Sequence, residues 1–342
     1  MQENIAKQEV LKAGTALVAL GLVARTWGNI SCRIDDDHFA ITPSGISYDR
    51  LTEDTIVVVD IHKCNYKGDI KPSSEKRIHA MAYSMNPNTN FVIHTHQVYA
   101  SSASVTGFLS LAPTEEEAKI LGGNISKAKY GLPGTKKLKS NVVKALQQES
   151  AAVLMENHGA LLVGKDRETA FKRASVLEDV CKRGSIDFDP SEDLSQSSSR
   201  FDANIPPDHK SFYENYPRFN NIITLKNHII TEVMNNTTTL VPMLDDFAQM
   251  VGIDMKVCSN VSDAISVIKK RNAVFLRNMG AVCCAESQSD CKALLTLVNK
   301  NSLTYLNALK NGNAKGLSRF DSKRMRFIYT KQYSKRNKAN PQ

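Results

Sequence analysis

The sequence lacks the features that mark disulfide-bonded, secreted or membrane-spanning proteins. It has seven Cys among 342 residues, an odd number with no Cys-X-X-Cys pair, which argues against a disulfide framework and indicates reduced thiols in a cytoplasmic protein. No apolar run approaches the length of a membrane span. The apolar stretch 13–24 follows Glu3 and Glu9, so we predict an amphipathic first helix rather than a signal peptide.

Acidic residues are scarce at the end of the chain. The formal net charge is +9, and residues 318–342 contribute eight Lys or Arg against one acid, Asp321. A basic tail of this kind can bind nucleic acid or anionic surfaces, and Phe320 and Phe327 lie among the charges, but solvated chain ends have the same composition. Without a recognisable nucleic-acid-binding motif, the sequence predicts neither nucleic-acid nor membrane binding.

Length and composition predict two globular domains. The hydrophobic content of 42% and charged content of 23% are ordinary for a protein with a sizeable core. Residues 184–210 contain a Ser run, two consecutive Pro and five Asp, a composition typical of a linker. The predicted organisation is therefore a domain at 1–183, this linker, a second domain at 211–313 and a basic tail at 314–342.

Two segments of the chain resemble each other. Residues 152–160 and 273–281 are identical at five of nine positions, and a predicted strand and helix follow each copy. His158 of the first segment corresponds to Met279 of the second, and the second half has no His-X-His. The interpretation is either a degenerate internal repeat that lost its metal ligands or a chance similarity between two buried strands.

A pair of histidines ends an apolar strand in the first half. His94 and His96 follow the run 91–93, and residues i and i+2 of a strand lie on the same face. Two neighbouring imidazoles can chelate a divalent metal, and a third would complete a three-ligand catalytic site. His158, which follows the apolar stretch 151–155, is the candidate third ligand.

A helix is predicted to open beside these histidines. Ser73 and Ser74 are expected at its N-terminus and Glu75 in its first turn, as an N-cap followed by an acid. Free N–H groups and the helix dipole at such a terminus favour a phosphate. The alternative is an ordinary cap with no ligand. His79, one turn later, is predicted to be a surface or packing residue rather than a fourth ligand.

The first half contains five motifs: Gly28-Asn29-Ile30-Ser31, Thr42-Pro43-Ser44-Gly45, Pro72-Ser73-Ser74-Glu75, His94-Thr95-His96 and Asn157-His158-Gly159. Together, over about residues 5–182, they resemble the motifs of the class II aldolase and adducin family in order and spacing. The family's enzymes include fuculose-phosphate and rhamnulose-phosphate aldolases and ribulose-phosphate 4-epimerase. The resemblance implies an α/β fold, a three-layer domain with a central, mainly antiparallel sheet between helices, followed here by a degenerate partial repeat.

The resemblance also implies a site and a reaction. Zn²⁺ or another divalent transition metal would bind the three histidines, and Glu75 would act as the acid/base, where the epimerases carry Asp. Tyr130 lies where the aldolases present a proton donor to a neighbouring subunit. The residues implied to hold the substrate phosphate are Gly28, Asn29, Ser44, Gly45, Ser73 and Ser74.

The expected activity is the retro-aldol cleavage of a ketose 1-phosphate to dihydroxyacetone phosphate and an aldehyde, by a homo-oligomer. Three alternatives remain open. Two are the epimerase and dehydratase activities of the same family, the second because some dehydratases use an acid near Glu115, Glu116 and Glu117. The third is an adducin-like interaction protein without chemistry, which the basic tail and the ligand-free second half would suit.

Overall fold

The chain divides into two compact units in a computed structural model, Met1–Ser185 and Ile186–Gln342. The structure describes residues 1–23, 27–106, 112–148, 150–187, 194–269, 271–312 and 314–339. The elements of the first unit are α1 (Glu3–Ala19), β1 (Asn29–Arg33), β2 (His38–Ile41), β3 (Val57–Asp60), α2 (Lys76–Met85), β4 (Phe91–Thr95), α3 (Val98–Thr106), α4 (Glu115–Leu121), β5 (Ser126–Ala128), α5 (Lys136–Leu146), β6 (Ala152–Met155), β7 (Gly159–Gly164) and α6 (Arg167–Arg183).

The first unit is built on a seven-stranded sheet in the order β3-β2-β1-β4-β7-β6-β5. Every neighbouring pair is antiparallel except β5 and β6. The apolar side chains of α1, α3 and α6 form a core on one face, and those of α2 and α5 form a core on the other. The α/β class and the mainly antiparallel sheet between two helical layers, predicted from the sequence, are therefore confirmed for this unit.

Strand β4 lies at the centre of this sheet, between β1 and β7. All five of its residues are buried, because helices cover both faces and each side chain enters one of the two cores. His94 lies near the C-terminal end of β4, and His96 follows directly after the strand. A central, fully paired strand holds attached side chains rigidly, which suits a metal site.

The second unit contains a six-stranded sheet in the order β10-β11-β12-β13-β9-β8. Its elements are β8 (Leu194–Ser199), α7 (Pro207–Asn215), β9 (Asn221–Lys226), α8 (His228–Asn236), β10 (Thr239–Leu240), α9 (Asp245–Met250), β11 (Met255–Cys258), α10 (Val261–Ile268), β12 (Ala273–Leu276), β13 (Gly280–Ala285), α11 (Gln288–Lys310) and α12 (Arg319–Ala339). Strands β11 and β12 are parallel, and the other neighbouring pairs are antiparallel.

The prediction of a linker at 184–210 is wrong for much of that segment. Strand β8 pairs antiparallel with β9 over its whole length, and α7 begins at Pro207. The Ser-rich composition suggested a linker, but an edge strand needs only backbone hydrogen bonds on one side and can carry polar, exposed side chains. Residues 188–193 of the predicted linker lie outside the described residues.

The basic segment 314–342 is also more ordered than the predicted tail. Helix α12 takes up most of it, with Ser322 and Met325 buried. The Arg326 guanidinium donates hydrogen bonds to the carbonyls of Gln249 and Met250 at 3.0 and 2.5 Å. One short face of this mostly polar helix is buried and packs against α9, which the composition did not predict. Residues 340–342 lie outside the described part of the chain.

The two sheets share a run of five strands with the same order and directions. In the first unit it is β5-β6-β7-β4-β1, and in the second it is β11-β12-β13-β9-β8. The register agrees as well, since Ser31 lies opposite Val92 and Ser198 lies opposite Ile222. No strands corresponding to β2 and β3 occur between β8 and α7, a stretch that the structure describes completely.

The described part of the chain contains no disulfide bond, because all seven cysteines are free and buried. Within the described ranges, every helix is too short or too polar to cross a lipid bilayer.

Candidate metal centre

Three imidazoles converge at one end of the first sheet. The His94 and His96 rings lie edge to face with centroids 4.7 Å apart, and His158 stacks on His94 at 4.7 Å with the planes inclined by 7°. One ligand atom of each ring lies within 4.8 Å of the others. Among the described residues, these three form the only such group of His, Cys, Asp or Glu. The structure therefore brings together all three residues predicted as metal ligands.

Backbone geometry explains how His158 reaches the strand pair. Met155 ends β6 and Gly159 begins β7, so the turn between them is short. Asn157 adopts a left-handed conformation with φ of 61°, which Asn tolerates better than most residues. The His158 amide donates to the Met155 carbonyl at 3.0 Å. At position 159 a Cβ would overlap the Thr95 carbonyl oxygen, so only Gly lets this turn pack against β4.

The hydrogen bond of His94 determines which nitrogen is available for a metal. Nδ1 lies 2.9 Å from the Ala160 carbonyl oxygen, and a carbonyl only accepts, so Nδ1 carries the proton. Nε2 then presents a lone pair, and it is buried without a hydrogen-bond partner. Burial lowers the pKa of His94 to about 3. A neutral, oriented imidazole with an unsatisfied Nε2 fits a metal ligand, and a three-His set fits a catalytic zinc site.

Glu75 lies directly beside two of these rings. Its Oε1 is 3.2 Å from His158 Nε2, and its Oε2 is 3.6 Å from His94 Nε2. The carboxylate is buried, and its Oε2 accepts a hydrogen bond of 2.9 Å from Asn29 Nδ2. Burial raises the pKa of Glu75, whereas the hydrogen bond from the Asn29 amide lowers it by stabilising the carboxylate. A buried carboxylate at this distance can exchange a proton with a molecule held against the imidazoles.

The predicted start of the following helix is displaced by about one residue. Helix α2 begins at Lys76, Glu75 occupies the N-cap position, and no acid lies in the first turn. Ser73 Oγ accepts a hydrogen bond from the Glu75 amide at 3.2 Å. This side-chain contact tightens the turn before the helix, which a sequence pattern of Ser-Ser-Glu does not reveal.

The remaining predicted phosphate-binding residues lie on two adjoining segments. Pro43 and Pro72 form an antiparallel bridge, the Ser44 amide donates to the Lys71 carbonyl at 2.7 Å, and the Ser73 amide donates to the Thr42 carbonyl at 3.0 Å. Ser44 and Ser74 are exposed, and Gly45 has a φ of 76° that favours glycine. Exposed hydroxyls on two paired segments provide donors for an anionic group.

Gly28 and Asn29 connect this region with β4. Asn29 lies opposite His94 in the sheet, and the φ of Gly28 is 74°. A Cβ at position 28 would lie 2.5 Å from the His94 carbonyl oxygen, so this position requires glycine for packing. The Asn29 amide is directed to Glu75, which is a contact the sequence did not predict.

The structure anchors the backbone of Tyr130 next to the His158 turn. Its amide donates to Glu156 Oε2 at 2.7 Å, its carbonyl accepts from Asn141 Nδ2 at 3.3 Å, and its hydroxyl is buried. The acidic run forms the start of α4, where Glu117 caps the helix with Thr114 and binds Arg183 at 2.6 and 2.8 Å.

The prediction of His79 as a packing residue rather than a fourth ligand agrees with the structure, because His79 is completely buried and is not part of the histidine cluster. The sequence did not predict its hydrogen bonds to Ser31 and Asn29. Burial lowers its pKa to about 3. A signal was present in the sequence, because Ser31-X-Arg33 and His79-X-X-X-Tyr83 of the first half recur in the second half as Ser198-X-Arg200 and His209-X-X-X-Tyr213.

Comparison with known proteins identifies the family that the first unit matches. The model of the family described as Class II Aldolase and Adducin N-terminal domain matches residues 8–183. The L-fuculose phosphate aldolase of Escherichia coli (strain K12) is 34% identical over 179 residues, which are 52% of this chain and 81% of that protein. The L-fuculose phosphate aldolase of Shigella flexneri gives the same values.

Two solved structures are also similar to part of the chain. A structure of L-fuculose 1-phosphate aldolase is 33% identical, with a TM-score of 0.49, and covers 52% of this chain and 84% of that chain. A sugar-phosphate aldolase from Thermotoga maritima is 24% identical, with a TM-score of 0.46, over 52% of this chain and 92% of its own.

Proposed function

Because the chain belongs to the class II aldolase and adducin family, we propose that its first unit is a metal-dependent aldolase that cleaves a ketose 1-phosphate to dihydroxyacetone phosphate and an aldehyde. The similarity to the fuculose phosphate aldolases supports a lyase-type enzyme. The observation that carries the proposal is the position of Glu75, whose carboxylate oxygens lie 3.2 and 3.6 Å from the Nε2 atoms of His158 and His94.

His94, His96 and His158 would hold the metal, which is Zn²⁺ or another divalent transition ion. When bound, such an ion supplies Lewis-acid stabilisation of the negative charge that develops on the substrate oxygens as the carbon–carbon bond breaks. The three rings keep this region dry and rigid, because each is buried and His94 is oriented by the Ala160 carbonyl.

Glu75 would move the proton. In the cleavage direction the bond between C3 and C4 breaks, its electron pair remains on C3, and the aldehyde leaves from C4. The C4 hydroxyl proton would pass to the Glu75 carboxylate, and the protonated carboxyl would then deliver a proton to C3, so the products together have the composition of the substrate and Glu75 returns to its starting state. Tyr130 is the candidate to relay this hydroxyl proton, as the proton-donor tyrosine that the family resemblance implies for a neighbouring subunit's site.

The phosphate of the substrate would bind beside Glu75, against the segments that contain Ser44 and Ser74 and against the start of β1. Gly28, Asn29, Ser44, Gly45, Ser73 and Ser74 are the proposed contacts. The backbone N–H groups of a turn and small hydroxyl side chains are suited to phosphate oxygens. This arrangement would orient the carbonyl end of the ketose towards the imidazoles.

The second unit is proposed to be a degenerate copy of the first without ligands. In the register of the shared strands, Thr224, Lys226 and Met279 stand where the first unit has His94, His96 and His158. None of these side chains provides an imidazole. The expectation of a homo-oligomer, with the sugar phosphate as the small-molecule partner and the cytoplasm as its location, belongs to this same proposal.

A substrate panel with two matched variants tests the proposal. Purified protein, loaded with Zn²⁺, Co²⁺ or Mn²⁺, is incubated with L-fuculose 1-phosphate, L-rhamnulose 1-phosphate and ribulose 1-phosphate, and dihydroxyacetone phosphate is measured with an NADH-linked reductase. Metal-dependent release that disappears in Glu75→Gln supports the aldolase. Loss of water from the substrate that depends on Glu115 or Glu116 would instead indicate a dehydratase, and inversion at C4 of a ketose 5-phosphate would indicate an epimerase. Protein that binds no metal and transforms none of these compounds would fit an adducin-like interaction protein.

A further inference from the structure

A chain of four buried hydrogen bonds leads from α2 to the carboxylate of Glu75. The Tyr83 hydroxyl is 2.6 Å from Ser31 Oγ, and Ser31 Oγ is 2.6 Å from His79 Nδ1. His79 Nε2 makes a short contact with Asn29 Oδ1, and Asn29 Nδ2 donates to Glu75 Oε2 at 2.9 Å. All five side chains are buried, so water does not compete for these contacts.

The donor and acceptor properties of the groups give this chain a single direction. The Glu75 carboxylate only accepts, so the Asn29 nitrogen faces it and the Asn29 oxygen faces His79. That amide oxygen also only accepts, so His79 carries its proton on Nε2, and its Nδ1 accepts from Ser31. The Tyr83 hydroxyl then donates to Ser31. Each proton position follows from the one before, and the chain ends on one oxygen of Glu75.

The second unit repeats the Ser, His and Tyr part of this hydrogen-bond chain, but it lacks the part that corresponds to Asn29 and Glu75. Ser198 Oγ lies 2.8 Å from His209 Nδ1 and 3.0 Å from the Tyr213 hydroxyl. The backbone contacts are repeated as well, because Arg33 donates to the Tyr83 carbonyl at 2.7 Å and Arg200 donates to the Tyr213 carbonyl at 2.6 Å.

The two units differ at the outer nitrogen of the histidine. His209 Nε2 is buried without a hydrogen-bond partner, and Gln196, in the register position of Asn29, is exposed. Position 205, four residues before His209, is Ile rather than Glu. The contacts of Ser, His and Tyr therefore hold strand and helix together in both units, whereas the Nε2 contact occurs only beside the candidate site.

We propose that His79 is a positioning residue of the first unit, which acts through the Asn29 amide to fix the orientation of the Glu75 carboxylate. This inference rests on the proposed function, since the orientation matters for turnover only if Glu75 transfers a proton. With Oε2 held by Asn29, the other oxygen, Oε1, is the one directed to His158. Without His79 the Asn29 amide can rotate, and the carboxylate loses its one fixed donor.

Two substitutions at His79 separate its structural contact from its positioning contact. His79→Asn places an amide near the former Nδ1 and keeps a partner for Ser31, but it does not reach Asn29. His79→Gln places its amide nitrogen near the former Nε2 and can still donate to Asn29 Oδ1. We expect kcat to fall roughly 10-fold or more in His79→Asn, the scale of a misplaced catalytic group, with KM and metal content little changed. His79→Gln should recover most of the lost kcat.

The second unit supplies the matched controls. His209→Asn and His209→Gln make the same changes in the same Ser and Tyr environment, without Asn29 or Glu75 nearby. We expect the melting temperature to fall by similar amounts in His79→Asn and His209→Asn, but kcat to fall only in His79→Asn. If both Asn variants lose kcat equally, or neither does while the wild type cleaves substrate, the positioning role is overturned and the aldolase proposal remains.

A spectroscopic measurement is independent of turnover. Long-range ¹H–¹⁵N correlation spectra of the imidazoles should show neutral His79 with its proton on Nε2, and in Asn29→Ala this proton should exchange faster with water. Spectra that show the His79 proton on Nδ1 instead would overturn the inference. A wild-type protein that cleaves no ketose 1-phosphate, yet shows the Nε2 proton, would overturn the proposed function and with it the catalytic role of this orientation.

Discussion

The His158 ring stacks on the His94 ring with a centroid distance of 4.7 Å and an angle of 7° between planes. The two residues come from a turn and from a central strand that are 64 positions apart in sequence, and the Glu75 carboxylate contacts the Nε2 edge of both rings. The stacking brings the Nε2 atoms of His94 and His158 close together, as a shared metal ion would require. We therefore expect metal binding to depend on how rigidly the turn before β7 holds His158.

Metal binding should require the three histidines and nothing in the second unit. We expect about one divalent metal per chain by elemental analysis, and a loss of at least about tenfold in affinity for His96→Ala or His158→Ala, since each removes one of three protein ligands. His228→Ala, which changes an exposed histidine of the second unit, is the control and should keep its metal. Two metals per chain, or retention in His158→Ala, would contradict this assignment.

Glu75→Gln should keep the metal and the fold but lower kcat by roughly 10² or more, because an amide cannot exchange the proton. Asn29 can still donate to the Gln oxygen, so the melting temperature should change little. Glu53→Gln changes an exposed side chain that accepts a hydrogen bond from Gln8, and it should leave kcat unchanged. If Glu75→Gln cleaves substrate at the wild-type rate, another residue must transfer the proton, and Tyr130→Phe would then be the next variant to measure.

Gly159→Ala should weaken metal binding through packing alone. The new Cβ would overlap the Thr95 carbonyl oxygen, so β7 or β4 must shift and move His158 away from His94. Gly280→Ala makes a similar overlap with the Leu225 carbonyl oxygen in the second unit, and it adds backbone strain because Gly280 has a φ of 86°. Gly159→Ala should cost about 1–3 kcal/mol of unfolding free energy, measured by denaturant titration, and Gly280→Ala should cost at least as much, but only Gly159→Ala should lower metal affinity. Equal metal binding by both variants would mean that the turn adapts without moving the imidazole.

Ser74→Asp should raise KM by about tenfold or more with a smaller change in kcat. Ser74 is exposed beside Glu75, and a carboxylate there would repel a substrate phosphate and remove a donor. Inorganic phosphate should inhibit the wild type competitively and this variant much more weakly. Ser47→Asp adds the same charge before a short 3-10 helix and serves as the control. If both variants raise KM equally, the effect is one of net charge rather than of a phosphate contact.

Lys300→Met should destabilise the second unit. Lys300 Nζ lies 2.5 Å from Asp246 Oδ2, and both side chains are buried. Removing one partner leaves a buried charge without compensation, at a cost of about 3–5 kcal/mol. Denaturant titration monitored by proteolysis should show the second unit unfolding at a lower denaturant concentration. The double variant Lys300→Met with Asp246→Asn should recover part of the lost unfolding free energy. Exposed Lys310→Met is the control. No change in Lys300→Met would show that the lysine finds another partner.

The sequence by itself determined most of the metal site. Two histidines at i and i+2 after an apolar strand must share one face, and this local rule predicted their proximity without knowledge of the fold. The family motifs supplied His158 and Glu75 as companions. The mainly antiparallel sheet, the helical layers and the helices at both ends of the first unit followed from periodicity and from the resemblance, because those signals repeat within a few residues.

Only the tertiary structure decided the rest. His79 reaches Asn29 across 50 positions and Ser31 across 48, and a helical pattern specifies only neighbours three or four residues away. The edge strand β8 owes its structure to pairing with β9, and α12 owes its buried face to α9, although both segments have the polar composition of loops. Local sequence determines which conformations are accessible, but which polar residue is buried, and against what, depends on partners that the chain brings together only on folding.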